Sequence, residues 1–380
     1  MQFTQIMDFM VMMPLGPQLM RELEISPKEF SGLISSFALT AGVVGLLAAP
    51  FIDRFDRRKL LLFCYAGFTL GTLACGLSNS GTSLLWARAI CGAFGGVSGA
   101  TIMTIVADVV PVERRARGMG IIMTAFSAAA ALGVPCGLKL AQVWKWEAPF
   151  LAVAMVAAVV WIGLFRTLPP LRGHLTGEKL NSAKNFIGLL SKPNAWIGLV
   201  LMTALVFGHF TVIPYFSAFL VSNVKLPESS LFMVYLTGGI VTIFTGPFIG
   251  KLADRYGRYR VFVILIIGAC VSIRLLTTAG PLPLWHILLL VACFFTFASG
   301  RFVPGQATIS MAVPRGQRGA YMSLIACSRD LASGLTASLG GHIIAQEPGG
   351  KLLHFERLGW IAIGVSLFSL WIFRQVKSVE

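Results

Sequence analysis

Runs of apolar residues follow one another along the whole chain, and short polar stretches separate them. Twelve runs are about 20 residues long, enough for a helix to cross a hydrocarbon core of ~30 Å. They do not show the ten-residue alternation of apolar and polar positions that is typical of barrel strands. The pattern therefore predicts an all-α membrane protein with twelve transmembrane helices, at about 1–20, 29–52, 60–79, 83–109, 117–141, 148–168, 194–221, 229–250, 261–280, 284–313, 318–345 and 356–374.

Composition and charge agree with this pattern. Only 12% of the 380 residues are charged and the mean hydropathy is +0.78, whereas soluble domains carry about 25% charged residues. If the first helix starts in the cytoplasm, 20 of the 31 Lys and Arg residues fall in cytoplasmic loops and the C-terminus, and seven in the opposite loops. This bias predicts that both termini are cytoplasmic. The net charge of +15 then reflects membrane topology, and no nucleic-acid partner is expected.

Little in the sequence indicates other chemistry. The five histidines are dispersed, and the chain has no H-E-x-x-H, G-x-S-x-G or Walker A motif. The seven cysteines all lie in apolar segments without C-x-x-C spacing, which favours packing roles over a metal site or disulfides. The first segment starts at Met1 without the basic region of a signal peptide. We therefore expect neither an enzyme nor a cofactor or metal.

The two halves of the chain repeat each other at an offset of 201 residues. Six helices with their loops occupy about that length, so the offset predicts parallel repeats of six helices each. The predicted units are an N-terminal bundle at 1–168, a cytoplasmic linker at 169–193 that includes a surface helix, and a C-terminal bundle at 194–380. The matching residues are Asp53, Arg54 and Arg57 with Asp254, Arg255 and Arg258, Arg117-Gly118 with Arg318-Gly319, and Gly133 with Gly334.

Four motifs resemble those of the major facilitator superfamily. "APFIDRFDRRK" and "GKLADRYGRYR" are similar to its loop signature G-x-x-x-D-R-x-G-R-R/K, although the first copy has Ala49 and Asp56 in place of glycines. "RAICGAFGG", which begins at Arg88, resembles the helix 4 pattern. "ALGVPCG" resembles the helix 5 antiporter motif, with Val134 inserted between Gly and Pro. Within the superfamily, the chain looks most like the bacterial drug-efflux and arabinose-efflux-permease type.

The resemblance implies two pseudo-symmetric six-helix bundles that act by alternating access. It also implies a multi-pass protein of the bacterial inner membrane, surrounded by lipids and monomeric. The expected function is secondary active transport of a small organic solute, with proton-coupled export as the first hypothesis. Because Val134 interrupts the helix 5 motif, a proton symporter or facilitator that imports a solute stays open as the alternative.

A second implication of the resemblance concerns the two charged loops. Asp53 ends a helix, where the helix dipole opposes a carboxylate, so it needs a compensating partner. The resemblance implies a conformational latch of Asp53, Arg57 and Asp108 with the start of helix 11. Asp254 and Arg258 would form a weaker counterpart, because no helix 10 acid matches Asp108. The alternative is that these loops are only topogenic anchors. Asp56 stands where the second copy has Gly257, and it can still adopt a left-handed backbone conformation there, at some cost.

Ionisable residues at membrane depth are the remaining candidates. A charged side chain within the membrane costs free energy, so a functional role is the default hypothesis for each of them. The residues of this set comprise three Arg and one His but only two Asp. This excess of basic side chains favours an anionic or zwitterionic solute. For Asp330, an ion pair with Arg301 that only joins helices stays open, as does a packing role for His209 and Tyr215. The proton-coupling candidates are Asp8, Arg88, His209 and Asp330, and the substrate-binding candidates are Asp8, Arg88, Tyr215, Arg301 and Arg329.

Overall fold

The computed structural model describes most of the chain. The described residues are 1–49, 51–110, 122, 124–126, 128–171, 188–189, 191–314, 317–347 and 350–379, without the side chains of Asp53, Ala107 and Asp108. Most of the linker predicted at 169–193, within which the surface helix was expected, lies outside these residues.

Helices dominate the described residues and follow the twelve predicted segments to within a few residues. Ten of them are long and apolar enough to cross a membrane. The first and eleventh are not in that set, because α1 is interrupted and α11 carries Arg329, Asp330 and His342. The helices are α1a (Gln2–Val11), α1b (Gly16–Glu22), α2 (Pro27–Ala48), α3 (Arg57–Gly76), α4 (Gly81–Val109), α5 (Thr124–Val143), α6 (Ala148–Thr167), α7a (Pro193–Phe210), α7b (Ile213–Ser222), α8 (Leu231–Tyr256), α9 (Arg258–Thr277), α10 (Leu284–Ser310), α11 (Arg318–Ile343) and α12 (Phe355–Gln375).

A small antiparallel hairpin joins α11 to α12. Its strands are β1 (Ala345–Gln346) and β2 (Leu352–Leu353). Asn223, which follows α7b, fixes β2 through both groups of its amide, since Nδ2 donates to the Leu352 carbonyl and Oδ1 accepts from the Leu352 amide, each at 2.9 Å.

The first and seventh helices are broken at corresponding places in the two repeats. α1 is interrupted between Val11 and Gly16, and α7 between Phe210 and Ile213. Pro14 lies in the first break and Pro214 starts α7b, and proline cannot donate the backbone hydrogen bond that would continue a helix. Both breaks are buried. Non-helical backbone at membrane depth is tolerated where protein surrounds it or where it lines a cavity, so these breaks mark the inner helices of each bundle.

Two further helices contain a π-helical turn. One turn spans Ala129–Gly133 in α5, and the other spans Phe295–Ser299 in α10, just before Arg301. Single π turns inside helices are frequent at functional sites, because they re-aim the side chains around them.

The two bundles meet along two pairs of helices. α2 packs antiparallel to α11, where Gly42 lies against Leu331 and Gly334 lies against Leu39. A Cβ on Gly334 would be 2.7 Å from Leu39 Cγ, so only glycine permits this approach. α5 packs against α8 in the same way, through Gly239. Small residues at membrane helix contacts allow backbones to come close and gain dispersion energy.

Candidate transport site

Asp8 of α1a and Arg88 of α4 form a buried ion pair in the N-terminal bundle. Arg88 Nη1 donates to Asp8 Oδ2 at 2.6 Å and to the Asp8 backbone carbonyl at 3.3 Å. Both side chains are 0% exposed. The structure therefore unites two candidates that the sequence placed on separate helices.

The surroundings leave part of this pair without partners. Asp8 Oδ1 and Arg88 Nε and Nη2 have no hydrogen bond within the described residues. The guanidinium carbon lies 4.5 Å from the centroid of the Phe37 ring, which is a cation–π contact. Thr72 of α3 lies beside the Asp8 carboxyl group. A pair with spare donors and acceptors can exchange partners, unlike a pair whose atoms are all satisfied.

Arg301 of α10 occupies the interior of the C-terminal bundle and is also 0% exposed. Its partners are neutral, since Nη1 donates to the Ser366 hydroxyl of α12 and Nη2 donates to the Leu205 carbonyl of α7a at 3.4 Å. Arg301 Nε has no hydrogen bond within the described residues.

His209 lies near the end of α7a, one residue before the helix breaks off. Its ring stacks on Phe294 at 5.6 Å with an interplanar angle of 11°, and Phe302 meets it edge-on at 5.6 Å. Nδ1 has no hydrogen bond within the described residues, although it is buried. His209 is also close enough to Arg301 to interact electrostatically.

Asp330 pairs with its neighbour in the sequence. Arg329 Nε donates to Asp330 Oδ1 at 3.1 Å, with the side chains 47% and 27% exposed. The suggested ion pair between Asp330 and Arg301 is wrong in this structure. Adjacent side chains start about 100° apart on a helix, but arginine is long enough to fold back. The pair lies in the middle of α11 and keeps contact with the surface of the protein.

Tyr215 lies in α7b and is 0% exposed. Its hydroxyl donates to the Ala337 carbonyl of α11 at 3.0 Å, and the ring packs on Gly340 and Gly341. The Tyr215 side chain thus holds α7b against α11. Its contact with substrate stays a prediction.

The first signature loop is attached to the end of the N-terminal bundle. Asp56 Oδ1 accepts from the Arg58 amide at 3.0 Å, which caps α3, and from the Leu171 amide at 3.4 Å. The φ of Asp56 is −57°, so Asp56 does not adopt the left-handed conformation that was open to it. Asp56 replaces glycine here because its side chain supplies an N-cap. Arg57 is buried at 4% exposure, whereas the side chains of Asp53 and Asp108 lie outside the described residues, and the latch stays a prediction.

The second signature loop takes the conformation that its glycine permits. Gly257 has a φ of +90° and separates α8 from α9. Asp254 is exposed and makes no ion pair within the described residues. Arg258 Nη1 points at the Met311 sulfur at 2.9 Å, just after α10. By the symmetry of the repeats this pair should lie near Arg117, which is outside the described residues.

Sequence reasoning missed several residues that complete these sites. Ser366, Phe37 and Thr72 have no charge, so the search for ionisable groups at membrane depth passed over them. Arg21 and Glu228 form an ion pair between the two halves at the loop ends of α1b and α8. Their opposite charges were visible in the sequence, but nothing there indicated that the two loops meet.

Comparison with known proteins agrees with this architecture. The family model for the Major Facilitator Superfamily matches residues 1–335 and 217–379, which together span nearly the whole chain. The chain belongs to this superfamily. Its members are transporters and not enzymes, as the sequence predicted.

Two curated relatives come from Bacillus subtilis (strain 168). The uncharacterized MFS-type transporter YceJ is 24% identical over 323 residues, covering 83% of this chain and 80% of that protein. Multidrug resistance protein 2 is 23% identical over 386 residues, covering 97% of this chain and 92% of that protein.

Solved structures share the fold across the chain. The D-xylose-proton symporter superposes with a TM-score of 0.78 at 16% identity, covering 99% of this chain and 96% of that one. A bacterial homolog of the human lysosomal transporter Spinster, in an inward-facing and unoccupied conformation, gives 0.77 at 15% identity, covering 99% and 94%. The all-α fold with two six-helix bundles is therefore confirmed.

Proposed function

We propose that this transporter couples the export of a small organic solute to proton entry, and that the Asp8–Arg88 pair is the coupling element. It would act in the bacterial inner membrane as a monomer, with both termini in the cytoplasm. The observation that carries the proposal is the complete burial of an ion pair between α1a and α4, in which both residues keep atoms that have no hydrogen-bond partner among the described residues.

Protonation of Asp8 removes the negative charge that balances Arg88. Leaving one member of a buried ion pair without its partner costs about 3–5 kcal/mol. Reversing a two-state equilibrium from 1:99 to 99:1 takes about 5.5 kcal/mol, so one proton can supply most of that difference. Because both side chains are 0% exposed, a proton reaches Asp8 only after the helices around it move. Proton exchange and conformational change are thereby linked.

The other candidate residues take supporting roles in this proposal. Asp330 is the second proton-coupling candidate, because its pair with Arg329 is partly exposed in the middle of α11. His209 is the third, since Nδ1 has no partner in the described part of the chain. Arg57 with Asp53 and Asp108 would form the latch that holds the cytoplasmic side shut. Arg258 and Asp254 would form a weaker counterpart, in keeping with the exposure of Asp254.

The charge of the interior favours an anionic or zwitterionic solute. The Asp8–Arg88 and Arg329–Asp330 pairs are each balanced, and Arg301 leaves one positive charge in excess. Export is supported by the similarity to Multidrug resistance protein 2. Import by symport is the second candidate, because Val134 interrupts the helix 5 motif and the fold is shared with a sugar symporter.

Transport into membrane vesicles tests this function. Inside-out vesicles with an acidic interior should accumulate at least one of three labelled probes, namely succinate, alanine and tetraphenylphosphonium, and a protonophore should abolish the accumulation. Accumulation only in right-side-out vesicles would indicate import. In Asp8→Asn, the gradient should no longer drive accumulation, while exchange of labelled for unlabelled probe continues. Gradient-driven accumulation at the wild-type level in Asp8→Asn would refute the coupling role.

A further inference from the structure

We propose that Arg301 is a carboxylate-binding residue, and that an anionic substrate supplies the negative charge that the C-terminal bundle lacks. This inference rests on the proposed function, because it identifies the substrate class of the same transporter. It begins with a difference between the two bundles. Arg88 is balanced by Asp8, whereas Arg301 is equally buried and, within the described residues, is bound only by the neutral oxygens of Ser366 and Leu205.

Within the part of the chain that the structure describes, Arg301 makes no ion pair with an acid. Away from the helix ends, the only acidic residue in the transmembrane segments of the C-terminal half is Asp330, and it is paired with Arg329. Arginine stays protonated in proteins, so burial does not neutralise it. An unpaired buried charge costs several kcal/mol. A ligand that brings one negative charge recovers that cost, which gives the bundle a preference for anions over neutral or cationic compounds.

The repeat places an imidazole where the first bundle has its acid. At the 201-residue offset, Asp8 corresponds to His209, whereas Arg88 corresponds to Leu289 and Arg301 to Ala100. The position that neutralises an arginine in the first repeat therefore carries an imidazole in the second, near Arg301. His209 Nδ1 and Arg301 Nε both lack a hydrogen bond within the described residues. Arg301 Nε, and His209 Nδ1 in the tautomer that carries a proton there, can each donate a hydrogen bond to a carboxylate oxygen.

Aromatic side chains surround this region. Phe294 and Phe302 flank the His209 ring at 5.6 Å, so aromatic surface lies close to the imidazole. Gly208 of α7a leaves room for the guanidinium, because a Cβ there would be 2.9 Å from Arg301 Nη2. The π turn at Phe295–Ser299 and the break in α7 after Phe210 place irregular backbone on both sides. Discontinuous helices of this kind form substrate sites in transporters.

Thermal unfolding of the purified full-length protein in detergent tests the proposal. Formate and benzoate should raise the Tm of the wild type in a concentration-dependent manner. Benzamide, benzylammonium and chloride at the same ionic strength should not, because they lack the carboxylate. Equal shifts with benzoate and benzamide, or none with either carboxylate, would overturn the proposal.

Variants separate ligand binding from a structural role. Without ligand, Arg301→Met should have a Tm equal to or above that of the wild type, because an unbalanced buried charge is removed, and it should lose the response to benzoate. Arg88→Met is the matched control, and its Tm should fall because Asp8 is left buried and unpaired. Arg301→Lys should bind benzoate at least tenfold more weakly, since lysine cannot donate two parallel hydrogen bonds.

Three results contradict the assignment. One is a Tm for Arg301→Met that falls as far as that of Arg88→Met, and the second is unchanged benzoate affinity in Arg301→Lys. The third is the absence of any carboxylate response in a wild type whose proton-driven transport still depends on Asp8. In that case the carboxylate site is wrong and the proposed function stands.

Discussion

Arg21, at the end of α1b, forms an ion pair with Glu228, just before α8, and thereby links the two halves of the chain. Arg21 Nη2 lies 3.2 Å from Glu228 Oε2, and the second guanidinium nitrogen bonds the other carboxylate oxygen. Gln142 of α5 donates to the Glu228 backbone carbonyl at 2.9 Å. Glu228 is thus held by two helices of the opposite half. In alternating access these contacts separate whenever this end opens.

Removing the Arg21–Glu228 pair should favour opening at this end with little loss of stability. The side chains are 59% and 34% exposed, and exposed pairs contribute about 0.2–1 kcal/mol. Arg21→Gln or Glu228→Gln should therefore increase the open population by up to about fivefold. The measurement is the rate at which an impermeant maleimide labels Leu138→Cys, which is buried in the wild type, with Cys136 replaced by serine.

The control is the double variant Arg21→Glu with Glu228→Arg, in which the two charges are exchanged. It restores the attraction and should return labelling to the rate in the parent protein. Equal labelling rates in the parent and the single variants would show that the pair does not hold the end closed.

A double-mutant cycle should reveal strong coupling between Asp8 and Arg88. Each single change, Asp8→Asn or Arg88→Met, should cost about 3–5 kcal/mol because one buried charge loses its partner. The double variant should lose clearly less than the sum. Denaturant or thermal unfolding in detergent measures the three differences. The partly exposed Arg329–Asp330 pair is the matched control and should show coupling below about 1 kcal/mol. Additive losses at Asp8 and Arg88 would contradict the prediction.

If the latch exists, Asp53→Asn should impair transport without impairing insertion into the membrane. Asp53→Asn removes a carboxylate from the 3-10 turn Ile52–Arg54 between α2 and α3, but leaves all the Lys and Arg residues that set topology. Membrane levels of the variant should match the wild type, while vesicle transport should fall severalfold. Asp254→Asn is the control from the second repeat and should have the smaller effect, because Asp254 is exposed and unpaired in the described part of the structure. Normal transport by Asp53→Asn would rule the latch out.

The sequence predicted the helices and the two halves because hydropathy is a local property. Apolar runs set the spans, and the breaks in α1 and α7 fall near Pro14 and Pro214. The signature loops could also be located, since the repeat places them 201 residues apart. The backbone conformation of Asp56 could not be predicted from the sequence. Its side chain caps α3, and the residue does not adopt the left-handed conformation of Gly257.

The partners of the buried charges could not be predicted. Asp8 and Arg88 are 80 residues apart, and their pairing depends on how α1a and α4 are rotated and how deeply each lies. The same uncertainty allowed Arg301 to be suggested for Asp330, whereas Arg329 folds back onto it. Helix depth and rotation are set by packing around neutral residues such as Gly208 and Ser366, which carry no charge signal in the sequence.

The contact between α2 and α11 should tolerate no side chain at Gly334. A Cβ there would lie 2.7 Å from Leu39 Cγ and 3.0 Å from the Leu39 backbone nitrogen, and backbone cannot move aside as a side chain can. Gly334→Ala should therefore cost about 1–3 kcal/mol through overpacking and lower the Tm in detergent. Gly163→Ala in α6 is the matched control, because a Cβ at Gly163 has no heavy atom within 4 Å in the described structure. Equal Tm values for the two variants would show that α2 and α11 are not packed as closely as Gly334 indicates.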